Sequence, residues 1–254
     1  MGNKFSDKHR IATYDCTPQE ALSPVMILNW FQEVAQEHCE AVKLGFSFNA
    51  SRELAWFVVK YDIAFIKYPC YGQEVILETE AFAFDRFAAQ RKFKLYSMDG
   101  ELLVEADSEW MLLSRENGKV VRLSTVPELE AFGAGTKSDF SLRRLPKLDG
   151  DPEQVKQFQI RYLDIDYNGH VNNVKYLAWA IETLPAEVVQ DQEIAALKII
   201  YKEQAFYGGN ITASAIQTGP FCWRIDINEN DRILTQLEMT MRPITEEMRR
   251  ERKC

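Results

Sequence analysis

Long apolar runs are missing from this chain of 254 residues. None approaches the roughly 18 residues that a membrane-spanning helix needs, so no membrane span is expected. The opening MGNKFSDKHR lacks the apolar stretch of a secretory signal. Its Gly2 and Ser6 match the skeleton of an N-acylation signal, a pattern too short to carry weight. Histidine is scarce, at three residues, and the five cysteines (Cys16, Cys39, Cys70, Cys222, Cys254) form no CxxC. Zinc-ligand spacing is therefore absent, and no metal is expected. An odd, scattered set of thiols reads as free cysteine in a reducing cytoplasm. The GxSxG elbow of α/β serine hydrolases is absent too. Basic residues are outnumbered, 30 against 38 acidic, and the net charge of −8 argues against a general nucleic-acid binder.

What remains is a chain with a real core: 46% of its residues are hydrophobic and 27% charged. Its length suits one large domain or two of about 125 residues each. The most informative stretch is RYLDIDYNGHVNNVKYLAWAIE, residues 161–182. Asp164, Asp166, Asn168, His170, Asn172 and Asn173 stand together just before an apolar helix. Val174, Leu177, Ala178, Ile181 and Leu184 have the spacing of one buried helical face. Asn172 or Asn173 can cap its start, and Pro185 closes it. A carboxylate, an amide and an imidazole at a helix N-terminus, beside free backbone N–H groups, suit hydrolytic chemistry.

The sequence also repeats itself. Each half has a short strand-like segment (Arg10–Asp15; Phe158–Leu163), then a long apolar helix (about 24–42; 173–184). The first helix should bury Ile27, Leu28, Phe31, Val34, Ala35 and Cys39, with Ser23 as its cap and Pro24 in its first turn. Strand-like runs follow at 56–68, 74–83, 86–98 and 101–113, and again at 196–205, 210–217, 222–228 and 232–242. Met98-Asp99-Gly100 and Asn228–Asp231 supply hairpin turns. Aligning Trp30 with Trp179 pairs Asp15 with Asp164 and Glu33 with Glu182; aligning Tyr71-Gly72 with Tyr207-Gly208 pairs the later strands. A segment rich in Gly, Pro, Ser and charge, 126–157, separates the halves. The expected architecture is α+β: a tandem double hot-dog of residues 1–125 and 158–254, each a central helix wrapped by a curved antiparallel sheet.

DIDYNGHVNNVKYLAW resembles the signature of the acyl–acyl-carrier-protein thioesterases of bacteria and plant plastids. LKIIYKEQAFYGG, LNWFQEVAQEH and GELLVEADSEWMLLSRENGKVVRLSTVPEL extend that resemblance over roughly residues 8–245. The resemblance implies hydrolysis of fatty acyl-acyl-carrier-protein, which releases free fatty acid and ends chain elongation in fatty acid biosynthesis. It implies no cofactor, and acyl carrier protein as partner through its acyl-phosphopantetheine arm. Carried over residue by residue, it assigns catalysis to Asp166, Asn168, His170 and Glu203. Where many plant members have a cysteine, this chain has Gln204, so the carboxylates must carry the chemistry.

Asp166 or Glu203 is then general base or nucleophile, His170 orients the attacking group or protonates the thiolate, and Asn168 positions water or carboxylate. Backbone N–H groups near 171–174 are candidate oxyanion donors. Asp164, paired with Asp15 in the half that lacks DxNxH, reads as structural. Glu203 aligns with Lys67, and Asn172 and Asn173 read as caps. The first half keeps no such chemistry but offers Met26, Ile27, Trp30, Phe31 and Trp56, with Val34, Val58 and Tyr61, as lining for an acyl pocket. Arg86, Arg91, Lys92 and Lys94, or Lys198 and Lys202, are candidate surface cations for an acidic carrier protein, and the tail Arg249–Lys253 is a further one. Rival readings are an acyl-CoA thioesterase, a non-catalytic acyl-binding protein and a hot-dog dehydratase; a homodimer is compatible with any of them.

Overall fold

A computed structural model describes residues 2–135, 140, 144–146, 148 and 150–252. The chain divides into two compact units, Met1–Leu142 and Arg143–Cys254. Parts of the expected linker (136–139, 141–143, 147, 149) lie outside the described residues, as do Cys254 and Lys253 of the basic tail.

In the first unit, β1 (Lys4–Arg10) precedes the long helix α1 (Pro24–Ala41). Ser23 caps α1 by accepting the Val25 N–H, and Pro24 occupies the first turn, where its missing N–H costs nothing. A short helix α2 (Phe46–Ser51), unforeseen from sequence, leads to β2 (Leu54–Phe65). Then come β3 (Glu74–Phe84), β4 (Ala88–Ser97) and β5 (Leu102–Ser114). The strand order is β1-β3-β4-β5-β2, with every pair antiparallel. All six residues expected on the core side of α1 are buried, and Phe31 stacks on Phe93 with centroids 4.5 Å apart. The 3-10 turn Pro127–Phe132, inside the expected linker, adds Leu129 and Phe132 to this core.

The second unit repeats the plan with β6 (Gln154–Gln159), α3 (Asn173–Thr183), β7 (Gln192–Tyr201), β8 (Asn210–Gly219), β9 (Cys222–Glu229) and β10 (Arg232–Pro243). Its strand order, β6-β8-β9-β10-β7, is the same as in the first unit. Short helices α4 (Ala186–Asp191) and α5 (Glu246–Arg252) were also unforeseen. In each unit a helix packs across a five-stranded antiparallel sheet, which is the expected hot-dog arrangement.

Three expectations need correction. The segments read as strands at 10–15 and 158–163 end in 3-10 turns, Thr13–Asp15 and Tyr162–Asp164, while the strands lie earlier, at β1 and β6. The cause is side-chain chemistry: Asp15 accepts the Ala12 N–H at 2.8 Å and Asp164 the Arg161 N–H at 2.9 Å, which closes each turn. Periodicity does not report such bonds. On α3, Ala178 and Ile181 are only half-buried, whereas Tyr176, Trp179, Ala180 and Thr183 join Val174 and Leu177 inside. A helix lying on a sheet buries a wider face than one narrow stripe. Arg91, expected as a surface cation, is buried on the core side of β4. Among the described residues, no helix is long and apolar enough to cross a membrane.

Candidate active site

The polar loop before α3 is a closed turn. The N–H of Asp166 donates to the His170 carbonyl at 2.8 Å, and Gly169 N–H donates to the Asp166 carbonyl at 3.0 Å. Asp166 Oδ1 accepts the Asn168 N–H at 2.8 Å and, more weakly, the His170 N–H at 3.4 Å. Its Oδ2 takes part in no hydrogen bond among the described residues. Gly169 sits at φ +81°, a left-handed conformation that glycine adopts without strain. Asp166, Asn168 and His170 are thus gathered within five consecutive residues, and each of the three is half-buried.

The first unit builds the same turn from different side chains. Thr17 N–H donates to Ala21 O at 2.8 Å and Glu20 N–H to Thr17 O at 3.0 Å. Thr17 Oγ1 accepts the Gln19 N–H at 3.3 Å, as Asp166 Oδ1 accepts that of Asn168. Glu20, at φ +61°, stands where Gly169 does. Bridges Cys16–Leu22 and Ile165–Val171 close the two loops alike. The backbone therefore needs one acceptor oxygen at position 17 or 166. The second carboxylate oxygen of Asp166 exceeds what the turn requires, Asn168 matches Gln19 in carrying an amide, and His170 places an imidazole where the first unit has Ala21.

Asp164 is the structural member of the group. It is fully buried, and Arg161 (3.0 Å) and Lys175 (3.4 Å) pair with it. Burial pushes its carboxyl up, but hydrogen bonds from the Arg161 side chain and backbone, with the Lys175 charge, outweigh this and hold it below its ordinary value. Its carbonyl accepts the Asn172 N–H, and Asn172 caps α3 by accepting the Val174 N–H at 3.3 Å. Val171 N–H donates to Ala205 O. Three of the four N–H groups expected as oxyanion donors are therefore engaged. Only that of Asn173 lacks an acceptor among the described residues.

Glu203 lies just past β7, in the irregular segment 202–206. The same segment carries Ala205, whose carbonyl holds the polar loop through Val171, and Phe206, whose ring meets His170 edge-on at 5.1 Å. The Glu203 carboxylate is about half exposed and pairs with Arg232 at 3.0 Å, and Arg232 also holds Glu229. In the first unit the corresponding pair is Lys67–Glu101, 4.0 Å apart and of reversed sign. Sequence reasoning missed Arg232. Carrying the repeat alignment one hairpin further, to Glu101, would have found it. It also missed the exposed aromatic rim beside the loop, Tyr162, Tyr167, Phe206 and Tyr207.

The residues expected to line an acyl pocket fall into two groups. Ile27 and Phe31 are fully buried in the first unit's core. Met26, Trp30 and Trp56 are half-buried; Trp30 stacks on His9 at 4.7 Å and Trp56 packs against the Leu54–Phe132 cluster. Among the described residues no group of three or more His, Cys, Asp or Glu could hold a metal ion.

Residues 2–128 match the model of the acyl-ACP thioesterase N-terminal domain, and residues 149–243 match that of the C-terminal domain. The chain belongs to the acyl-ACP thioesterase family. It is 30% identical over 219 residues to a chloroplastic palmitoyl-acyl carrier protein thioesterase of Cuphea hookeriana, covering 80% of this chain and 52% of that protein. Over 221 residues it is 26% identical to oleoyl-acyl carrier protein thioesterase 1 of Arabidopsis thaliana, also chloroplastic, covering 80% and 61%. The chain thus spans between half and two thirds of the length of these curated relatives. Two solved structures share the fold. One is the 12:0-ACP thioesterase of Umbellularia californica (TM-score 0.85, 22% identity, 94% of this chain and 97% of that one). The other is an acyl-ACP thioesterase of Bacteroides thetaiotaomicron (TM-score 0.82, 15% identity, 94% and 98%).

Proposed function

We propose that this protein hydrolyses the thioester of fatty acyl-acyl-carrier-protein, releasing free fatty acid and the carrier's pantetheine thiol. The observation that carries the reading is the duplicated turn. One copy is Thr, Gln and Ala; the other has the same backbone but holds Asp166, Asn168 and His170. Asp166 acts through its uncommitted Oδ2, either removing a proton from water or attacking the thioester carbonyl. His170 delivers the proton that the departing thiolate needs, and Asn168 holds the attacking group. The Asn173 N–H, at the start of α3, is the donor left to receive negative charge on the carbonyl oxygen. Glu203 is the second carboxylate of the scheme, and it acts on substrate only when the Arg232 pair opens. The first unit, residues 1–125, is assigned the acyl chain through Met26, Ile27, Trp30, Phe31 and Trp56. A bacterial cytoplasmic setting completes the reading; Cys16, Cys39, Cys70 and Cys222 form no disulfide among the described residues.

The test is a hydrolysis assay on acyl-carrier-protein and acyl-CoA substrates of graded chain length, read by released thiol. With a net charge of −8 the protein opposes an acidic carrier, so a local cationic surface must supply the attraction. Raising ionic strength should lower kcat/KM for the carrier-protein substrate more than for acyl-CoA of the same chain. A preference for acyl-CoA at every salt concentration would reassign the substrate. No hydrolysis of either would leave an acyl-binding protein.

A further inference from the structure

The first unit buries a cation that no carboxylate neutralises among the described residues. Arg91 is 6% exposed, and among the described residues no carboxylate pairs with it. Its Nη1 donates to Thr79 Oγ1 and to His38 Nδ1, both at 3.0 Å, and the guanidinium lies 5.6 Å from the Phe132 ring centroid. Two neutral acceptors and a distant ring offset only part of the several kcal/mol that an unpaired buried charge costs.

The groups around it are short of acceptors. His38, 2% exposed, is pushed down to about 4, first by burial and then by the Arg91 charge, so it is neutral at pH 7. Because its Nδ1 accepts from Arg91, its proton sits on Nε2, which is buried without a partner among the described residues. Tyr61 is fully buried, and its hydroxyl also has no hydrogen-bond partner among the described residues. Tyr61 and Arg91 both register opposite Ser108, on strands flanking it, so they share the core face of the sheet. A buried water would satisfy one donor but not the charge. An anionic oxygen satisfies both.

We propose that Arg91, His38 and Tyr61 form a binding site for a carboxylate at the distal end of an acyl chain. The site would make this protein selective for chains that carry oxygen at both ends. The inference rests on the reading that acyl chains are this protein's ligands. It does not depend on the assignment of Asp166 or Glu203.

The test measures binding, not turnover. The probes are the N-methylamide of a long-chain monocarboxylic acid and the mono-N-methylamide of the dicarboxylic acid of equal length. Both resist hydrolysis and differ only at the far end. Calorimetry on the full chain should show the carboxylate-ended probe binding about 10-fold tighter or more, the scale of a charge-assisted hydrogen bond. Arg91→Met should abolish that preference. Tyr61→Phe, which removes a hydroxyl with no hydrogen-bond partner among the described residues, should leave thermal stability intact and cut the preference several-fold; it decides the matter where Arg91→Met does not fold. Equal affinities in the wild type, or a preference that survives Tyr61→Phe, would overturn the proposal. So would Arg91-dependent binding of acetate with no preference between the chains, which would assign the site to a small free anion. A protein that binds the probes but cleaves no thioester would refute the proposed function and leave this inference standing.

Discussion

Substituting Asp166 by threonine separates the turn's architecture from its chemistry, because the protein already contains the product of that change. Thr17 occupies the equivalent position, accepts the equivalent N–H with its single oxygen, and keeps the same closed turn. Asp166→Thr should therefore lose only the weaker 3.4 Å bond from His170 N–H and the free Oδ2. One such bond contributes about 0.5–1.5 kcal/mol. For a protein of this size that lowers Tm by roughly 1–6 °C. Turnover should fall by about 10²- to 10⁴-fold, the range for loss of a positioned acid or base. Thermal unfolding and thiol release from acyl-carrier-protein, measured on one preparation, test both halves. A variant that folds and keeps turnover within threefold of wild type would refute the assignment of Asp166. A variant that fails to fold would refute the equivalence of the two turns.

Glu203→Ala should leave stability almost unchanged, since its exposed pair with Arg232 contributes less than about 1 kcal/mol, yet should cut turnover roughly 10²-fold or more; near-normal turnover would leave Glu203 a surface partner of Arg232. Asp164→Ala should destabilise by about 2–4 kcal/mol in urea titration, because it leaves the Arg161 turn unclosed and removes the partner of Lys175; a loss below 0.5 kcal/mol would deny it a structural role. His38, held down to about 4 in the fold, is near 6.5 when unfolded, so the unfolded chain takes up the proton first. Its contribution is complete above about pH 6.5 and is lost as pH falls toward 4, up to about 3 kcal/mol, and His38→Gln should flatten that limb of the stability profile.

Much of this was legible in the sequence because it depends on patterns that repeat. The two helices, the order of strands and the pairing of Asp15 with Asp164 follow from apolar spacing and from matching one half to the other. The features missed depend on single side chains. The 3-10 turns form because one aspartate reaches its own backbone, and the strands were misplaced for that reason. Arg91 looked like a surface cation because it alternates with Lys92 and Lys94 along β4, yet its side of the strand faces the core. Charge alone gives no hint of which side a strand residue takes; the period of two does, and Arg91 shares its parity with Phe93 and Leu95.

The two units also rank the two carboxylates. From position 17 to 166, atoms are added beyond those the turn uses, which stability does not explain. From position 67 to 203 nothing is added: an exposed cross-strand pair, Lys67–Glu101, is replaced by its mirror, Glu203–Arg232. Such a reversal is close to neutral for folding at a solvated surface. The fold therefore gives no independent reason for a carboxylate at 203, and its case rests on its neighbours in the segment that holds the loop. Asp166 stands on a stronger footing, since its second oxygen is left unused by a turn that another part of the chain completes with threonine. On the proposed mechanism, a single residue bearing the chemistry would be Asp166, and Glu203 would act only after release from Arg232.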